Sequence, residues 1–328
     1  MDYIKKKTLI RTKDRLLRLM EPEFIYNPKY LIYYCLKALS RNINNYEEVM
    51  LPWGCRIRVN AQEYIGRNIF AFGVFDLCVS EVIWRLLAQE DYAVDVGANI
   101  GYMTSIMAAK VGKQGNVVSF EPHPELFQEL SVNIEKWQNE IGYAQITAKN
   151  VALSEGSGKG VLHVPDCHKQ NSGLCKIISY NKDIEKKGSI VVNLERLDNF
   201  MKKDKRIGLL KIDVEGHEFE VLKGSSGLIE KHQIRDIIFE DHYDLAKADL
   251  AKVTNFLEGY GYELFYLGKR FFGLAVNDIK RKKLEYKRAQ PEGASYLATI
   301  EPQRALSLLS GKGWSVLRCS HSTGKAHI

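Results

Sequence analysis

The sequence predicts an α/β fold: a mostly parallel sheet covered by helices, with a C-terminal antiparallel hairpin and an N-terminal helical extension. Three observations predict it. From Tyr92 onward, short apolar runs alternate with amphipathic stretches, the pattern of buried parallel strands joined by crossover helices. Acidic and glycine residues gather just after the apolar runs, where right-handed crossovers align the strand ends along one ligand-binding edge. Two late apolar runs are separated only by Gly268, Lys269 and Arg270, which reads as a closing hairpin.

In chain order, residues 8–19 and 28–39 read as helices, with Tyr26, Tyr30, Tyr33 and Tyr34 as a packing stripe. Arg56–Asn60 alternates like a strand, and Val79–Leu87 is a helix leading into the first core strand, Tyr92–Val96. Helix Gly101–Lys110, strand Val117–Glu121, helix Pro124–Trp137 and strand Ile146–Leu153 follow. The stretch Gly160–Leu194 is too long for an ordinary connection. Its short β-like runs VLHV, LCKII and SIVVNL predict a small insertion or cap. Ile207–Ile212 and Asp236–Glu240 are strong strands separated by helical Glu218–Lys231. A helix over Asp244–Leu257 then leads to the hairpin strands Tyr262–Leu267 and Phe271–Val276. Beyond Tyr286 the periodicity is lost. The expected division is an N-terminal helical/β extension over 1–76, an α/β domain over 77–278 with its insertion at 160–194, and a basic, poorly ordered tail over 279–328.

Composition narrows the function classes. At 45% hydrophobic and 27% charged residues, the chain is ordinary globular protein, which excludes disorder and collagen. No apolar run reaches the roughly 18–20 residues that a membrane helix needs, and charges interrupt any secretory leader, so a cytoplasmic protein is expected. The six cysteines include no C-x-x-C pair, and no metal is expected. The net charge of +7 is concentrated in residues 1–20 and 269–290. A peripheral contact of the basic N-terminus with an anionic surface would use that charge, although solvated lysines that keep the ends soluble are the favoured explanation. Nothing in the sequence indicates an oligomeric state.

The segment Asp95-Val96-Gly97-Ala98-Asn99-Ile100-Gly101 joins a strand to a helix. Gly97 and Gly101 allow a tight turn and a close ligand approach, and the helix start offers free N–H groups. A dinucleotide fingerprint from Gly97 would require glycine where Asn99 and Tyr102 stand. A carboxylate at Asp95 would repel a pyrophosphate but suits a ligand carrying an ammonium and a sulfonium, as S-adenosylmethionine does. Glu121 closes the next strand, where an acid can accept both ribose hydroxyls of an adenosine. Capping the following helix is its alternative role.

The runs VDVGANIGYMTSIMA, VVSFEPHPE, KNVALSE and LLKIDVEGHEFEVLKG occur in that order. Together they resemble the motif series of the FkbM family of S-adenosylmethionine-dependent methyltransferases, over about Leu77 to Glu240. The resemblance implies a class I methyltransferase (Rossmann-like) fold, so that 77–278 would be the cofactor-binding domain. It implies O-methylation of a hydroxyl on a sugar, glycan or secondary metabolite. It also implies S-adenosylmethionine as cofactor, held by Asp95, Gly97, Asn99, Gly101 and Glu121, with Asn150, Val151 and Ala152 bracketing the adenine.

Two acidic clusters end neighbouring strands on the ligand edge. Asp213-Val214-Glu215-Gly216-His217-Glu218 follows the strand IGLLKI, and Glu240-Asp241-His242 ends the next. Asp213, Glu215 and His242 are the catalytic candidates, with Asp213 or His242 as base toward an acceptor hydroxyl. An acidic first helix turn, which favours the macrodipole without any chemistry, is the bland alternative for the first cluster. A small-molecule or glycan acceptor is expected, and no nucleic acid. The rival readings are an RNA methyltransferase, which the basic ends would suit, and a non-enzymatic binding module at an anionic surface. A nicotinamide oxidoreductase fails at Asn99 and Tyr102.

Overall fold

The computed structural model describes residues 22–23, 32, 35–36, 45–139, 143–165, 175–178, 188–201, 205–241, 247–279 and 294–321. The N-terminal helices expected over 8–19 and 28–39 lie almost wholly outside these residues. Tyr46–Met50 (β1) and Arg56–Asn60 (β2) form an antiparallel hairpin. Helices Tyr64–Phe72 (α1) and Leu77–Leu86 (α2) lead into strand Tyr92–Val96 (β3). Tyr102–Val111 (α3), Asn116–Phe120 (β4), Pro124–Gln138 (α4) and Gln145–Lys149 (β5) complete a regular alternation. Strands Ala152–Leu153 (β6), Gly158–His163 (β7), Lys176–Ile178 (β8) and Ser189–Glu195 (β9) build a separate small sheet in the order β6-β9-β7-β8. The chain returns through Leu197–Phe200 (α5) to Ile207–Ile212 (β10), then Glu218–Lys223 (α6), Ser226–Glu230 (α7) and Ile234–Asp241 (β11). Lys247–Gly259 (α8), Glu263–Arg270 (β12), Gly273–Asp278 (β13), Ala294–Thr299 (β14) and Pro302–Leu309 (α9) follow, and a 3₁₀ helix over Val316–His321 comes last.

The main sheet has the order β13-β12-β14-β11-β10-β3-β4-β5. Neighbours from β11 through β5 are parallel, so β3, β4, β10 and β11 end on one edge. β10 is buried at every position and β3 at all but its first, as strands covered on both faces must be. The β1–β2 hairpin is tied to the helical layer by indole and amide groups that would otherwise be stranded. Trp53 donates to Ser105 Oγ at 3.1 Å, and Trp137 donates to the Arg56 carbonyl at 2.7 Å. Asn133 bridges the Arg58 and Ile100 carbonyls. That last bond fixes the loop after β3, the first part of the ligand edge.

Several expectations change in the structure. The strand expected over Ile146–Leu153 divides at Asn150, where the chain leaves the main sheet, and β6 pairs with β9 instead. The helix expected over Glu218–Lys231 is two short helices. The hairpin strands run on through Arg270, and the turn falls at Phe271–Phe272 because Gly273, at φ +133°, can open β13 there.

The expected loose tail over 279–328 does not hold for residues 294–321. β14 inserts antiparallel between β11 and β12, with Tyr296, Leu297 and Ala298 fully buried. Thr299 donates to Asp236 at 2.7 Å, and Arg304 pairs with the same carboxylate. Farther on, Glu81 accepts the N–H groups of Ser315 and Val316, and the Arg85 guanidinium takes the Gly311 and Gly313 carbonyls. Buried charges spent on these backbone groups hold the end of the chain against α2. Among the described residues, no helix is long and apolar enough to cross a membrane.

Candidate active site

The loop after β3 takes three left-handed residues within five positions: Gly97 at φ +77°, Asn99 at +50° and Gly101 at +94°. The N–H groups of Gly97 and Ala98 both donate to the Phe120 carbonyl at 3.0 Å, so the loop folds over the end of β4. A Cβ at Gly97 would sit 1.9 Å from the Asp213 carbonyl oxygen, and one at Gly101 would sit 2.6 Å from Leu130. Glycine is therefore needed at both positions, for backbone sign and for space.

Glu121 sits at the end of β4, 5% exposed. One carboxylate oxygen accepts the Asn99 N–H at 2.8 Å and the other accepts the His123 N–H at 2.9 Å. It thus braces the β3 loop and also holds the residue that opens α4, so capping and ligand binding are compatible roles. Each oxygen keeps a further lone pair. Burial pushes this carboxyl up to about 7, against the lowering effect of those two hydrogen bonds. The exposed Asn150 amide donates to the Glu121 and Pro122 carbonyls, fixing the same corner from the third strand. Val151 and Ala152, expected to bracket the adenine with Asn150, follow directly at this corner, 7% and 3% exposed and packed among buried apolar residues.

Asp95 differs most from expectation. It is fully buried, accepts Thr104 Oγ1 at 2.6 Å, and has Lys211 Nζ 3.5 Å from its other oxygen. It stands two residues before the loop, inside β3, and supports the edge from below.

Across the sheet, β10 delivers Asp213, whose N–H donates to the Val96 carbonyl. Its carboxylate is about one-third exposed, 3.2 Å from Lys211 Nζ. Glu215 and Gly216 are consecutively left-handed, at φ +54° and +97°, and turn the chain sharply into α6. Glu218 closes that turn by accepting the Gly216 and Val214 N–H groups, and its burial pushes the carboxyl up to about 7. His217 reaches away, with Nε2 3.0 Å from Ser154 Oγ. Burial shifts its imidazole downward, and it ties α6 to the small sheet. His242 lies outside the described residues.

Three further groups face this edge and were not singled out from sequence as site residues. Lys211 is the cation between Asp95 and Asp213. Glu240, near the end of β11, is pushed well upward by burial and then by the charges of Asp213 and Asp76. Asp76 caps α2 from a left-handed backbone at φ +40°, accepting the Val79 N–H, and is also raised by burial. The signal for Lys211 was present in sequence, as a lysine inside an otherwise apolar strand. Glu240 was visible as a member of the acidic cluster that ends its strand, whereas nothing local marks Asp76. Among the described residues, no group of three or more His, Cys, Asp or Glu is arranged to hold a metal ion.

The family model of the methyltransferase FkbM domain matches residues 95–264, from the middle of β3 into β12 and a little over half of the chain. The chain belongs to the FkbM methyltransferase family. Its cofactor is accordingly S-adenosylmethionine. Among relatives, it is 26% identical over 212 residues to "Methyltransferase 1" of Beauveria bassiana, covering 61% of this chain and 80% of that protein. It is 27% identical over 209 residues to "Hexuronic acid methyltransferase AglP" of Haloferax volcanii, covering 62% and 77% respectively. A solved methyltransferase FkbM from Methylobacillus flagellatus is similar with a TM-score of 0.40 at 16% identity, over 64% of this chain and 43% of that one. The end of β4 fits the family's cofactor in its chemistry: a buried carboxyl with spare lone pairs closes the strand beside the β3 loop.

Proposed function

We propose that this FkbM-family enzyme methylates a neutral hydroxyl on a sugar, a glycan or a secondary metabolite. The observation that carries the reading is the crowding of carboxyl groups at the acceptor edge, which leaves no place for a further carboxylate. Asp76, Asp213, Glu215 and Glu240 gather there, with Lys211 already engaged by Asp95 and Asp213. Lys269 is matched by Glu23 at 2.8 Å. Such an edge repels a carboxylate acceptor and offers a base to a hydroxyl. The likeness to a hexuronic acid methyltransferase supports a sugar-class acceptor, and because a hexuronic acid carries the carboxylate that this edge disfavours, neutral sugars and uronic acids are the acceptors to compare.

Gly97, Asn99, Gly101 and Glu121 are the residues proposed to hold the cofactor. Asp95 supports them from below, and Asn150 holds the Glu121 corner. When bound, S-adenosylmethionine supplies an activated methyl group on a sulfonium. The chain's own work is to bind and align the acceptor, exclude water and take the hydroxyl proton. Asp213 is the proposed base, Glu215 shapes the turn beside it, and His242 is the alternative base. The small sheet of β6–β9 is proposed to cap the acceptor pocket.

The deciding experiment incubates the protein with methyl-labelled S-adenosylmethionine and either neutral sugars or uronic acids. An O-methyl ether resists mild alkali, whereas a methyl ester is hydrolysed, so alkali-stable label on neutral acceptors is expected. Alkali-labile label confined to the uronic acids would reject the hydroxyl reading.

The cofactor assignment carries its own test. Glu121→Gln should weaken S-adenosylmethionine binding by roughly 1.5–3 kcal/mol, the value of hydrogen bonds to a charged acceptor. The carboxyl titrates at about 7 in the free protein, and its ionised form is the better ribose acceptor. Parental affinity should therefore rise between pH 6 and 8, and the Gln variant should show no such rise. Calorimetry at both pH values checks both statements.

A further inference from the structure

We propose that Lys211 is a positioning residue of methyl transfer: its ammonium, anchored on Asp95, holds the Asp213 carboxylate charged at the acceptor edge. The inference rests on the reading of Asp213 as the base.

The geometry begins with the sheet register. Lys211 pairs across β3 with Asp95 and across β11 with Ile238. Asp213 lies two residues beyond Lys211, so side-chain alternation puts both on one face. The lysine side chain is only 4% exposed, and its Nζ lies 3.5 Å from Asp95 and 3.2 Å from Asp213. Asp95 is sealed at 0% exposure, and the Asp95 oxygen nearest Lys211 makes no hydrogen bond. Burying an ammonium in a sheet costs several kcal/mol unless its partners are well placed. Residue 211 needs no charge for packing, because its strand is otherwise Ile, Gly and Leu. What the lysine adds is a fixed positive charge under one particular carboxylate.

That charge distinguishes between competing acids. Asp213 is faced by Lys211 from its own strand, by Glu215 and Glu218 from the following turn, by Glu240 from β11, and by Asp76 from the start of α2. Lys269 of β12 acts on Asp76. So many carboxyls crowded together cannot all ionise at once. Burial and mutual repulsion drive Glu240 and Asp76 toward their neutral forms. Burial pulls the Lys211 ammonium down, but attraction to Asp213, Asp95 and Glu240 outweighs it, so the net shift is upward and the lysine stays charged. The carboxylate in contact with Lys211 and still partly open to the edge is Asp213. In the supported step, the acceptor O–H bond breaks and its proton passes to Asp213.

The test needs no known acceptor. In protein carrying carboxyl-¹³C aspartate, Asp213→Asn identifies the Asp213 resonance, whose titration is then followed in the parent and in Lys211→Met. An opposite charge at this range shifts a carboxyl by about 1–3 units, so the midpoint should rise by at least one unit in Lys211→Met. Should that variant fail to fold, Asp95→Asn/Lys211→Met removes both members of the buried pair and serves in its place. An unchanged midpoint in a folded variant overturns the inference and leaves Lys211 a structural filler. Once an acceptor is in hand, the acid limb of the rate profile should move with the midpoint, lowering turnover about tenfold per unit below it. A shifted midpoint with an unmoved rate limb would instead remove Asp213 as base, overturning the underlying reading. The two failures are therefore distinguishable.

Discussion

Asp213→Asn is expected to lower turnover by about 10²–10⁴-fold, the usual contribution of a positioned general base, while leaving S-adenosylmethionine affinity within about twofold. The substitution keeps the shape of the side chain and removes its capacity to take a proton. The carboxylate is about one-third exposed at the end of β10, beside the loop that follows β3. His242 is the competing base, and pH separates the two. An imidazole base makes the rate rise through about pH 6.5, its reference value, and that rise should disappear in His242→Asn. With Asp213 as the base that imidazole-dependent rise is absent, and Asp213→Asn is the variant that loses turnover. Single-turnover rates between pH 6 and 8 for both variants decide between them. Near-parental turnover in both would refute base catalysis from this edge.

The largest structural effect is expected for Gly97→Ala. The new methyl group would lie 1.9 Å from the Asp213 carbonyl oxygen, and the backbone there has φ +77°. Both contributions are unfavourable: the left-handed backbone costs an L-residue roughly 1–2 kcal/mol, and overpacking typically adds 1–3 kcal/mol. Relief requires β3 and β10 to move apart at the proposed meeting place of cofactor and acceptor. We expect a loss of about 2–4 kcal/mol in urea unfolding, together with at least a hundredfold weaker S-adenosylmethionine binding by calorimetry. Gly156 provides the control, since a Cβ there meets nothing within 4 Å. Gly156→Ala should leave both quantities nearly unchanged.

Much of the fold was legible because its signals are local. Tyr92–Val96 and Ile207–Ile212 announce themselves as apolar runs ended by acids and glycine, and both strands form with those bounds. The short runs in 160–194 likewise form a small sheet. β14 was illegible for the opposite reason. Its sequence ASYLAT has little alternation, and its partners β11 and β12 lie far back in the chain. It is a strand because the gap between β11 and β12 admits one, and because Asp236 satisfies Thr299 and Arg304 at its far end. Propensity over six residues is weaker than that pairing.

The candidate site divides in the same way. Sequence alone determined the family resemblance, the glycine turn at Gly97–Gly101 and the acid that closes β4, because turn chemistry depends on the few residues that make the turn. Only the tertiary structure decided what each carboxylate is suited to do. Asp95 reads as a ligand contact in sequence, yet it is sealed beneath the loop against Thr104 and Lys211. Asp213 is left partly open, while Asp76 and Glu240 arrive from α2 and β11 to crowd it. Charge state follows from burial and from neighbouring charges. Those neighbours come from positions 76, 95, 211 and 240, and their convergence is a property of strand order and not of any single stretch of chain.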